Sequence, residues 1–130
     1  MIDLELASRL RATDIPWVPS SGDRFVIPNH EMSSDVFVIA DMTIEAQNVA
    51  GGHIIKFNGT TEWALDSVDA SQVLWLPRED QLRELLGDDF ARLEVLPGGF
   101  VVVLADASRH VDIDPERAYA RALLALREAG

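Results

Sequence analysis

The sequence predicts an α+β fold, with a mainly antiparallel sheet of about five or six strands and three short helices. Three observations point there. Apolar residues recur at helical spacing in Asp3–Thr13, in Arg78–Leu86 and again after Asp114. Between these stretches lie short runs of β-branched and aromatic residues, some of them strictly alternating. Ala50-Gly51-Gly52 and Pro97-Gly98-Gly99 join such runs at hairpin distance, which makes neighbouring strands antiparallel. At 130 residues and 14.4 kDa the chain has the length of a single domain, residues 1–130.

In the first helix Leu6, Ala7 and Leu10 fall on one face, and Asp3 and Glu5 sit where the macrodipole favours acids. Pro16, Trp17 and Pro19 forbid its continuation, and Ser20-Ser21-Gly22-Asp23 reads as a turn. Strands are then expected at Arg24–Ile27, at Val36–Ala40, which is apolar on both faces, at Met42–Gln47, which alternates, and at His53–Phe57. Glu62–Val68 fits a strand or a short helix. Trp75-Leu76-Pro77 leads into the second helix, whose apolar face is Leu82, Leu85 and Leu86 and whose C-terminal cap is Gly87. Leu93–Leu96 and Phe100–Ala105 form the second hairpin, followed by a strand around Arg109–Ile113. The last helix opens with Asp114 as N-cap, Pro115 at the first position and Glu116 in the first turn. Tyr119, Ala122, Leu123 and Leu126 make its buried stripe.

Acids number 22 against 11 bases, a net charge of −11. The excess is spread evenly, with 10 acids and 4 bases in residues 1–66 and 12 acids and 7 bases in residues 67–130. Such a field repels phosphate backbones and anionic lipid, so neither nucleic acid nor a membrane is an expected partner. It serves solubility, and it would also attract a basic partner or mimic DNA. Lys56 is the single lysine, a bias toward arginine that fits a GC-rich genome. The absence of cysteine excludes disulfides, thiolate metal sites and cysteine nucleophiles. The N-terminal stretch lacks the basic start and apolar run of a secretory signal, and no apolar run approaches the ~18 residues of a membrane span. The expected location is cytoplasmic.

Catalytic signatures are missing. No glycine-rich stretch matches a phosphate-binding or dinucleotide loop, and there is no Gly-x-Ser-x-Gly turn. His30, His53 and His110 form no helical pair for zinc. Asp112-Ile113-Asp114 has the spacing of a divalent-ion site, but Asp114 is better used as a helix cap. No catalytic residue, metal or cofactor is therefore expected. Two segments carry binding chemistry. Asn58-Gly59-Thr60-Thr61-Glu62-Trp63-Ala64-Leu65-Asp66 gathers an amide, hydroxyls, two acids and an indole. Asn58, Thr60, Glu62, Trp63 and Asp66 suit hydrogen bonding to a small polar ligand; the plainer reading is a turn followed by a packed tryptophan. Trp75 beside Arg78, with Trp17 between prolines, has the composition of an interaction surface.

The stretches GDRFVIP, FVIADMTIE, FNGTTEWALDSV and WLPREDQLRELLG resemble a group of small actinobacterial proteins of uncharacterised activity, some labelled pilus assembly protein. The assembly ATPase of that label has a phosphate-binding loop, which this chain lacks. The resemblance implies a compact bacterial domain and transfers no catalytic residue.

The expectation is thus a non-enzymatic binding or accessory module acting through a protein partner or a small ligand. The alternatives are a small hydrolase or metal-dependent enzyme using carboxylates near Glu62 and Asp66, and an acidic DNA mimic. A homodimer is also expected, because Phe100–Leu104 and Val36–Ile39 are apolar on both faces and three helices can cover only one face of a sheet.

Overall fold

The computed structural model describes residues 1–28, 35–40, 44–49, 52–57 and 67–129, with backbone alone for 44–49, 52–57 and 67–70. The chain divides into two compact units, one made of Met1–Ile15 and Pro77–Gly130, the other of Pro16–Leu76. Both are α+β or β in content, and every strand pair is antiparallel.

The first unit holds all three helices: α1 (Leu4–Arg11), α2 (Glu79–Leu86) and α3 (Pro115–Ala129). Asp3 caps α1 by accepting the Leu6 N–H at 2.8 Å, and Asp14, at φ 59°, lies just beyond its end. Gln81 reaches back to the Arg78 N–H at 2.9 Å at the start of α2. Asp114 accepts the Arg117 N–H at 3.0 Å, as the Asp-Pro-Glu start of α3 predicts. Of the expected stripe, Tyr119, Ala122 and Leu123 are buried and Leu126 is half-buried.

The strands β7 (Phe90–Leu96), β8 (Gly99–Leu104) and β9 (Arg109–Asp112) complete this unit as one sheet in that order. The first hairpin turns through Pro97-Gly98, with Leu96 opposite Gly99. Gly99 is required there, since a Cβ would come within 2.6 Å of the Asp112 carbonyl oxygen. The second hairpin is a three-residue loop: the Ala107 N–H donates to the Leu104 carbonyl at 2.9 Å and the Leu104 N–H to the Ser108 carbonyl at 3.0 Å. Ala107 takes φ 72°, the left-handed position that glycine usually fills. Helix α3 lies on β8 and β9, with Tyr119 against Phe90 at 5.6 Å, and α1 and α2 pack on α3.

In the second unit, β1 (Arg24–Val26) lies between β2 (Phe37–Val38) and β6 (Leu74–Leu76). The strands β3 (Ile44–Val49), β4 (Gly52–Phe57) and β5 (Ser67–Asp69) form another sheet, with Val49 opposite Gly52 across the first expected hairpin.

Two expectations need correction. The single sheet of about five or six strands is replaced, among the described residues, by nine strands in three sheets of three. Several of these strands are only two or three residues long and end at Pro28 or Pro77, too short to carry a ladder onward. The second concerns the ground for a dimer. Val101, Val102, Val103 and Leu104 are all buried within one copy, so β8 has its cover on both faces without a partner. The register sets Arg92 and Arg109 beside Val103 and Glu94 beside Val101, long stems of the kind that shield apolar surface. Around β2 the residues alternate, Phe37 and Ile39 buried, Val36 and Val38 exposed. No helix among the described residues is long and apolar enough to cross a membrane.

Candidate functional site

The prolines flanking Trp17 restrict its path, and the register of β1 with β6 places Trp75 opposite Phe25. The two indoles stack, with ring centroids 5.7 Å apart and planes 6° from parallel. Both rings are half-buried, and Val18 beside them is 62% exposed. Phe25 in turn stacks on Phe37 at 5.4 Å.

A buried acid fixes Trp17. Asp23 is 1% exposed. One oxygen of its carboxylate accepts the Trp17 indole N–H at 2.9 Å, the Ser20 backbone N–H at 3.1 Å and the Ser20 hydroxyl at 3.4 Å. A carboxylate taken out of water needs such donors. Its backbone is pinned as well: the Asp23 N–H donates to the Ser20 carbonyl at 3.1 Å, and the Ile39 N–H donates to the Asp23 carbonyl at 2.9 Å. Gly22 supplies φ 92° in the turn between them, a conformation side-chain-bearing residues rarely adopt. The Nε1 atom of Trp75 is buried with no hydrogen-bond partner among the described residues. An orphaned donor of this kind costs about 1–3 kcal/mol. The arrangement offers flat π-faces of fixed orientation, which is chemistry for contact.

Of the residues expected on an interaction surface, Trp17 and Trp75 thus come together, although nothing in their spacing pairs them. Arg78 belongs to the other unit, where it opens α2 and its guanidinium meets Asp80 at 3.1 Å. That contact holds the Asp80 carboxyl below the ordinary carboxylate range, against slight desolvation. Asn58, Thr60, Glu62, Trp63 and Asp66 lie outside the described residues, as does His30. Asp23 was missed because an aspartate in Ser-Ser-Gly-Asp reads as a turn former; the signal available was an acid a few residues after an indole donor.

The Asp112-Ile113-Asp114 spacing resolves into structure. Asp112, with its side chain 8% exposed, accepts from Arg121 Nε at 2.8 Å and from the Asp114 N–H at 3.0 Å, and it pairs with Arg117 Nε at 2.9 Å. Burial opposes its ionisation, but the Arg121 hydrogen bond, the Asp114 amide and the two guanidinium charges outweigh burial and lower its pKa. His110 lies on β9 with Nε2 3.0 Å from the Ser108 hydroxyl, and His53 lies on β4. Among the described residues no group of three or more His, Asp or Glu could hold a metal ion.

Comparison with protein-family models, with curated proteins and with solved structures finds no match for this chain.

Proposed function

We propose that this chain is a binding module whose contact face is centred on the stacked Trp17–Trp75 pair, and that its partner is a basic protein segment bearing proline or aromatic residues. One observation carries the reading: two half-buried indoles stacked in parallel, one of them held by a buried carboxylate. Holding rings in place before binding reduces the entropy lost on association. Prolyl and aromatic rings dock on such faces. The orphaned Trp75 donor supports the same reading, because phenylalanine would fill a stack without that penalty. The net charge of −11 selects a basic partner over an acidic one. The alternative of a carboxylate enzyme rests on Glu62 and Asp66, and that of a DNA mimic on charge alone.

The test is fluorescence anisotropy of a labelled peptide alternating proline and arginine, with its proline–glutamate counterpart as control. The basic peptide is expected to bind and the acidic one to fail. Trp17→Ala should weaken binding at least tenfold, with circular dichroism confirming a folded chain. Val18→Arg, on an exposed residue, should do the same by repulsion. Equal binding to both variants would mean that bulk charge alone attracts the peptide, and would overturn the proposal.

A further inference from the structure

Among the described residues strand β9 is an edge strand, paired only with β8. The bond from the Leu104 N–H to the Ser108 carbonyl fixes the phase of the ladder. From it, the backbone groups of Ser108, His110 and Asp112 turn toward β8, and those of Arg109 and Val111 turn outward. Val111 is 54% exposed, and Ile113, in the bend just past the strand, is 74% exposed. An edge with open amides and apolar side chains is a template for another strand. The opposite edge is guarded, because β7 has an irregularity at Phe90/Arg92. β9 has neither a bulge nor a proline.

We propose that β9 pairs antiparallel with β9 of a second copy about a two-fold axis through Val111. Edge-to-edge pairing requires outward residues to face outward residues, which allows three central registers. One sets Asp112 against the second Asp112, and another sets His110 against the second His110; both oppose like groups. The third sets Val111 against Val111, Arg109 against Ile113, and His110 against Asp112 on both sides of the axis. It alone combines apolar contact at the centre with a histidine facing a carboxylate. The charge near the edge also differs from that of the whole chain. Arg117 and Arg121 pair with Asp112, and Arg109 pairs with Glu94, so two copies with a net charge of −11 meet where these acids are already matched by cations. The remaining repulsion is screened beyond about 8 Å at physiological ionic strength. The product is a continuous six-stranded sheet with one α3 from each copy on the same face.

The chain has no cysteine, which makes crosslinking clean. Facing Cα atoms in a hydrogen-bonded antiparallel pair stand about 5.5 Å apart, within disulfide reach. Val111→Cys is therefore expected to give a covalent dimer on mild oxidation, while Val95→Cys, on the guarded edge, stays monomeric. Light scattering after size exclusion at micromolar concentration should give twice 14.4 kDa for the unmodified chain. Ile113→Lys should weaken the dimer at least tenfold, with circular dichroism showing the chain still folded. A mass of 14.4 kDa for the unmodified chain overturns the proposal and leaves the edge to a foreign strand. A dimer in which Val111→Cys crosslinks no faster than Val95→Cys overturns this geometry.

Discussion

In the unit of Met1–Ile15 and Pro77–Gly130, strands pair with their chain neighbours, β7 with β8 across Pro97-Gly98 and β8 with β9 across Ala105–Ala107. In the unit of Pro16–Leu76, β1 finds β6 at the far end of the segment, with Arg24 opposite Leu76 and Val26 opposite Leu74. Within Pro77–Gly130 the first unit is assembled from local strand pairing and explicit helix caps, and α1 alone is brought in from far along the chain to pack on α3. The second depends on closing a long loop before its central pairing gains anything. The stacked tryptophans belong to the second kind, since the β1–β6 pairing places Trp75 where Trp17, held by Asp23, stacks on it.

Core truncations test this contrast with the largest expected effect. Phe25 is fully buried against Phe37, and Leu123 is buried in the stripe of α3. Phe25→Ala should cost about 3–5 kcal/mol and Leu123→Ala about 2–5 kcal/mol in denaturant melts. Hydrogen exchange sharpens the result: each variant should deprotect amides of its own unit first. Uniform loss of protection in both variants would break the comparison, because the units would then open as one.

Asp112→Asn probes the ionic support of α3 and should cost about 1–3 kcal/mol near neutral pH. Its pKa is lowered in the fold. The stability it adds is therefore complete above the unfolded value of about 3.9 and is lost as pH falls through the lower folded value. Melts from pH 7 to pH 2 should show the unmodified chain losing that increment on the acid side, with the asparagine variant losing less. Parallel curves would remove Asp112 from the ionic account.

The smallest expected change is a gain. Ala107 occupies the left-handed region at φ 72°. Ala107→Gly relieves that strain but frees the unfolded chain, for a net gain of about 0.5–1 kcal/mol. A loss of stability in thermal melts would mean that the Ala107 methyl makes contacts that outweigh the strain.

Legibility in the sequence follows the same division. Asp114-Pro115-Glu116 and the Tyr119–Leu123 stripe announced α3, and Pro97-Gly98-Gly99 announced the β7–β8 hairpin, because cap and turn chemistry is local. β6 went unread, since three residues before a proline show no periodicity. The sheet count failed for a related reason: nothing in Arg24–Ile27 says whether its neighbour is the next strand or one much later. Trp17 and Trp75 stood out by composition, but their stacking and the Asp23 bond depend on long-range pairing. Arg78 was grouped with Trp75 only because it is close in sequence.

The three tryptophans supply a direct reading of the central claim. In an ¹⁵N-labelled chain each indole N–H gives its own signal, assigned by single Trp→Phe substitutions. Titration with the proline–arginine peptide should move the Trp17 and Trp75 signals together and leave that of Trp63 in place. A shift of the Trp63 signal alone would put the binding face in the Asn58–Asp66 segment and contradict the account.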